Sequence, residues 1–331
     1  VDELIARAQT IADDVFFPVA GEVDAAGVVP TSHLETLAAA GLYGLTGPVA
    51  AGGAGADQAT VHAVVEALAG GDLATTFVWL QHLGVPRMVA EAPAALREEF
   101  LADLCAGRTR SGIALLAATR PGTPAITVRR EGEEFVLDGG VPWVTGWAHV
   151  DVLLVAARDA ADVVHFLLVD AVEGPTLTAD PQRLVAVEAS STVELSVRGH
   201  RVPAGRLVRT VPMARWQAGD PAGLRPNGSL ALGVAARCAR LAELPALDAD
   251  VAAVRTQLDA AGPAELPAAR AAAAALAHRA SGLLAVATGS RSVGRGHPAE
   301  RLAREALFLL VFGSRPSIRA ALLTQLLPSS G

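Results

Sequence analysis

The chain has 331 residues, a net charge of −7 and a hydrophobic content of 51%, much of it Ala. That length can bury a sizeable core in one large domain or in two or three smaller ones. The negative balance argues against a nucleic-acid partner, whose phosphates are held by clustered cations.

Residues 1–110 read mainly as helices, with Leu4, Ile5, Ala8, Ile11, Ala12 and Val15 at helical spacing. Thr31-Ser32 is placed to cap a second helix that ends at Gly41. Gly47 to Gly55 is a Gly/Ala/Pro loop, Thr60 to Ala69 a helix, Leu73 to Ala90 a long apolar helix, and Pro93 to Ala106 closes this part. From Ser111 the period changes to two. Ala125–Arg130, Glu134–Leu137, Val152–Ala157, Val163–Val169, Leu184–Val187 and Thr192–Val197 read as strands of a small barrel or sandwich spanning 111–210. Helix returns over 211–331, in Leu230–Leu244, Val251–Leu258, Leu266–Ala287 and Ala299–Leu326, with a break at Gly313-Ser314. The expected fold class is therefore α+β: an N-terminal helical domain, a central β domain and a C-terminal helical bundle, with no alternating βαβ units. The long apolar faces of the last two helices predict a dimer or larger assembly.

The chemistry is narrowed by composition. All 27 basic residues are Arg, which excludes Schiff-base lysines and every Lys-dependent phosphate loop. Cys105 and Cys238 are far apart in sequence. Two buried thiols are expected, with a single disulfide as the alternative and no metal site. No apolar run reaches the roughly 20 residues of a membrane span, and no charged-then-apolar leader opens the chain. A cytoplasmic location away from membranes is expected.

The stretch 286–319 carries the strongest motif. Gly289-Ser290, then His297-Pro298-Ala299-Glu300-Arg301, then Arg304-Glu305-Ala306 resemble, without a gap, the C-terminal signature of acyl-CoA dehydrogenases. Val136-Leu137-Asp138-Gly139, Trp143-Val144-Thr145 and Asp151 resemble a second block of that family. Ala189-Ser190-Ser191-Thr192 and Arg201-Val202-Pro203 resemble a third. The order helix, strand, helix is also the family's order.

The resemblance implies a flavoprotein oxidoreductase that binds FAD and acts on an acyl thioester, as a homodimer, a homotetramer or a hetero-oligomer with a related subunit. Trp143, Val144 and Thr145 would lie along the flavin ring, Thr145 donating near its reactive nitrogen. Leu116, Ala118 and Thr119 would sit beside it, and Gly289 and Ser290 would approach the adenine half. Taken alone, Pro142 to Trp147 also reads as a strand end with two core tryptophans.

Departures from the family pattern matter as much. The family's catalytic glutamate falls on Gly313. Its alternative place, ahead of an Arg on an earlier helix, falls on Leu224 before Arg225. The nearest acids, Asp220 and Glu243, lie off that turn. The family's Arg-x-x-Phe-Gly segment, which reaches a neighbour's FAD diphosphate, has no match; Arg255 is the nearest cation. His82 remains the one weak candidate for a base, on the ground of its near-neutral pKa; a lone His of this kind is more often structural. A flavin-dependent monooxygenase of the same fold and a non-catalytic partner subunit are the alternative readings.

Overall fold

The computed structural model describes residues 2–219, 223–313 and 315–327. Asp220 and Ser314 lie outside them.

The first helical region runs α1 (Asp2–Thr10), α2 (Ala20–Ala26), α3 (Thr31–Ala39), α4 (Gln58–Ala69), α5 (Leu73–Leu80), α6 (Gly84–Ala90) and α7 (Ala94–Ala106). Capping sets several of these starts. Asp57 accepts the Thr60 backbone N–H at 2.8 Å, and Asp72 accepts that of Thr75 at 3.0 Å, satisfying donors that a helix leaves orphaned. Thr31 does not cap α3; it is the first helical residue, after Pro30, which makes no side-chain cap. The single helix expected over Leu73–Ala90 is two, separated by a turn at Gln81–Leu83. Gly84 and Pro86 open the second piece, where Pro is tolerated because first-turn N–H groups have no helical partner.

The β domain holds β1 (Ser111–Ala114), β2 (Ile126–Glu131), β3 (Glu134–Val144), β4 (Val152–Arg158), β5 (Val163–Asp170), β6 (Leu177–Pro181), β7 (Val193–Pro203) and β8 (Leu207–Pro212), with the short helix α8 (Leu116–Thr119) after β1. The order is β6-β7-β3-β2-β4-β5-β8, and β1 pairs with β4. Two antiparallel halves meet at a single parallel pair, Thr127 opposite Arg158. Leu184–Val187 is not a strand: it is a bend leading to a short helical turn at Glu188–Ser190, with Val187 at φ +51°. β1, β6 and β8 were not anticipated, being short and weakly alternating.

The second helical region comprises α9 (Met213–Gly219), α10 (Leu224–Ala242), α11 (Pro245–Ala260), α12 (Leu266–Thr288), α13 (Pro298–Val311) and α14 (Pro316–Leu326). α10 lies against α4 and α12. A Cβ on Gly233 would stand 2.2 Å from the Glu66 carbonyl, so only glycine allows α10 to approach α4 this closely. One continuous core joins both helical regions, from Ala8 and Phe16 through Leu68 and Trp79 to Leu230, Ala277 and Leu302. A second core fills the β domain with α6 and α7. Cys105 and Cys238 are free buried thiols in different cores. By length and composition alone, Leu266–Val293 is apolar enough to cross a membrane, which a count of consecutive apolar residues had missed. Its buried face, Ala269, Ala273, Ala277 and Leu284, packs inside the bundle core.

Candidate active site

The last residues of β3 turn the chain toward the helical regions. Trp143 has φ +61° and is 56% exposed. A register shift between Val141 and Val144 against β7 accompanies it. Gly146 and Trp147 donate backbone hydrogen bonds to the carbonyls of Ser190 and Ser191 at 2.9 and 3.1 Å, in a turn where Val187 (φ +51°) and Ser191 (φ +49°) are also left-handed. Left-handed backbone at three non-glycine residues is costly and gathers at functional surfaces. The strained loop presents the indole face outward, as a flat ring requires.

Thr145 follows directly on the end of β3. It is 3% exposed, and its hydroxyl lies 3.2 Å from that of Thr192, which is 2.8 Å from Ser190 Oγ. This chain of hydroxyls knits β3 to the turn before β7, and the surface is left to Trp143. Val144 is buried, as is Ala118, whereas Leu116 is 42% exposed. Thr119 turns its hydroxyl back onto the Leu115 carbonyl at 3.0 Å. α8 lies against β3 and β4, tied through Ala125, which donates to the Ala117 carbonyl and accepts from Gly140. Gly289 and Ser290 are exposed at the end of α12, Gly289 at φ +73°, and neither hydrogen-bonds to β3 or α8 among the described residues.

α5 connects this surface to the end of α13. A Cβ on Gly146 would stand 3.3 Å from Val78 of α5. One residue earlier, Phe77 meets Phe308 and Phe312 edge-on at 5.1 and 4.8 Å, and those two stack at 5.3 Å. Gly313 follows at φ +60°, and a Cβ there would lie 3.6 Å from Asn227 Nδ2. Leu224, one turn back on α10, is 2% exposed in a small core with Leu266 and Ile318.

His82 stands at the joint between α5, α7 and β1. It is 1% exposed; Nε2 lies 3.1 Å from the Leu104 carbonyl, and Nδ1 accepts the Ser111 backbone N–H at 3.0 Å. Both ring nitrogens are committed, and burial pushes its pKa down to about 3. It cannot act as a base without dismantling the joint between α5, α7 and β1. Arg255 is likewise tied inside the chain, Nε lying 3.1 Å from Glu66. Glu243 sits at φ +52° at the end of α10, and with Leu244 it forms the whole link to α11. A two-residue link has no length for a segment that reaches a neighbour. The site residues that sequence reasoning overlooked are Asn227, Phe77 and Phe308. Their only signal was spacing on helices whose partners were unknown.

Residues 2–108 match the family described as acyl-CoA dehydrogenase, N-terminal domain. The probable acyl-CoA dehydrogenase YngJ of Bacillus subtilis is 25% identical over 58% of this chain and 53% of its own length. The chain thus spans about half the length of the curated relatives it matches. Solved structures cover it almost entirely. Butyryl-CoA dehydrogenase from Megasphaera elsdenii superposes with a TM-score of 0.81 at 16% identity, over 97% of this chain and 96% of that one. A probable acyl-CoA dehydrogenase from Mycobacterium abscessus gives 0.83 at 21% identity, over 97% of each. The fold is that of the acyl-CoA dehydrogenase family. Within this acyl-CoA dehydrogenase fold, the region where the end of β3, α5, the start of α10 and the end of α13 approach one another is the candidate active site.

Tested against a flavin, the residues divide. Trp143, exposed on strained backbone, and the neighbouring α8 fit the flat ring. At the other end, Val286 is 81% exposed beside Gly289, Arg255 is paired internally, and the α10–α11 link is too short to supply a cation. The ring end fits FAD, and at the other end Arg255 and Arg240 are paired with Glu66 and Asp13.

Proposed function

We propose that this chain is an acyl-CoA dehydrogenase-like flavoprotein oxidoreductase that binds an acyl thioester but lacks the general base for ordinary α,β-dehydrogenation. The observation that carries this reading is Gly313, which stands beside Asn227 with no carboxylate, while Leu224 is buried elsewhere. Trp143, with the backbone of Leu116, Ala118 and Thr119, would hold the flavin ring. A bound flavin supplies an acceptor for a hydride. Removing an α-proton also needs a positioned base, and losing one typically costs about 10²–10⁴ in rate. The visible spectrum of the purified protein tests flavin binding. Anaerobic mixing with a saturated acyl-CoA then tests the missing base: slow bleaching is expected, and rapid bleaching with enoyl product would overturn the reading.

A second reading is favoured by the two-residue α10–α11 link. A chain unable to brace a neighbour's cofactor would serve best beside a related, longer subunit. Exposed Leu307 and Val311 on α13, with Leu323 and Leu326 on α14, support assembly through the C-terminal helices, as a homodimer, homotetramer or hetero-oligomer. A purified chain with no affinity for FAD or FMN would select the partner-subunit reading. A monomer by light scattering at micromolar concentration would remove the assembly claim.

A further inference from the structure

Among the described residues, an amide lies beside Gly313. Asn227 lies in the first turn of α10, half-buried, with Nδ2 3.6 Å from where a Gly313 side chain would begin. Its side chain makes no hydrogen bond to any described residue. Beside Gly313 stand Phe312, Phe308 and Phe77, an interlocked set of rings with no polar atom.

An amide offers two donors and an acceptor. A hydrocarbon chain laid over it would strip its water and replace none of those bonds, which is unfavourable. An oxygen substituent would replace them. The three rings, two pairs edge-on and one stacked, form an apolar wall beside Gly313. We infer that Asn227 is a specificity-determining residue that selects a short acyl group carrying a hydroxyl or carbonyl oxygen close to the thioester, and that the three rings bar longer chains. The inference rests on the proposed reading that an acyl thioester enters this site.

Calorimetric titration of the purified protein with butyryl-CoA, 3-hydroxybutyryl-CoA and octanoyl-CoA tests it without any need for turnover. One added neutral hydrogen bond changes affinity by about 3- to 10-fold, so the hydroxylated thioester should bind tighter than butyryl-CoA by that factor. Octanoyl-CoA should bind no tighter than butyryl-CoA. Asn227→Leu should abolish the preference for the hydroxyl, with Asn227→Ala as the smaller change if Leu disturbs folding. Phe312→Ala should let octanoyl-CoA gain on butyryl-CoA. Retention of the hydroxyl preference in both Asn227 variants, or tighter octanoyl binding by the wild type, overturns the inference and leaves the proposed function standing. Failure of all three thioesters to bind overturns both.

Discussion

The two ends of α13 are built on opposite principles. Its first half is dense with charge. Arg301 pairs with Glu305 inside the core, both under 5% exposed, and Arg304 reaches Glu300 and Asp24 of α2. Nearby, Arg237 of α10 joins Asp13 and lies 4.1 Å from the centre of the Phe17 ring. The far end has Phe308, Phe312 and Gly313, with Phe77 and the amide of Asn227 beside them. The charged half fixes how α13 sits among α2, α5 and α10. The apolar half borders the candidate site. One helix of four turns thus carries a charged anchor at its start and an aromatic cluster at its end.

The largest test strikes the charged half. Arg301→Ala leaves Glu305 buried without its partner, and loss of one member of such a pair costs roughly 3–5 kcal/mol. Glu305 can take up a proton, so the lower end is expected, read from urea denaturation. Burial pushes the Glu305 pKa up to about 7, against the pull of Arg301 and with a further push from Asp72. A carboxyl whose folded pKa is raised stabilises the fold fully below its unfolded value of 4.5, and that contribution is lost as pH rises through about 7. Relative to Glu305→Gln, the wild type should therefore lose stability between those two values. A relative gain over that window would show that Arg301 dominates.

At the other end the expected effects shrink. Phe312→Ala removes two ring contacts from a half-buried site and should cost about 1–3 kcal/mol; no loss would mean the aromatic set is not a structural unit. Gly313→Ala should cost about 1–2 kcal/mol through left-handed backbone alone, because its Cβ meets nothing closer than 3.6 Å. A larger cost would reveal crowding at the site. Trp143→Gly should leave stability unchanged or raise it by up to ~1 kcal/mol, since the strained indole is mostly exposed. The same change should weaken flavin binding by an amount on the order of 1–3 kcal/mol if the ring stacks there. Unchanged flavin affinity would place the ring elsewhere.

The sequence by itself determined the order of helix, strand and helix. The periods of 3.6 and 2 are local properties of neighbouring side chains, and Pro298 and Pro316 mark helix starts without reference to anything distant. It also determined that position 313 carries no carboxylate. Its errors were of two kinds. Leu73–Ala90 was read as one helix because its apolar content outweighed the Gly84 and Pro86 signals. Leu184–Val187 was read as a strand because four residues hold too little period to separate a bend from a strand. Only the tertiary structure decided the chemistry of the individual groups. His82 lost its basicity because packing between distant elements desolvates its ring, which outweighs the upward pull of the Leu104 carbonyl. Thr145 turned inward because Thr192 lies across from it. Asn227 gained its place because α10 and the end of α13, more than eighty residues apart in sequence, converge at Gly313. A side chain's chemistry is set by what desolvates it and what hydrogen-bonds to it, and those neighbours are chosen by packing over distances that no local pattern records.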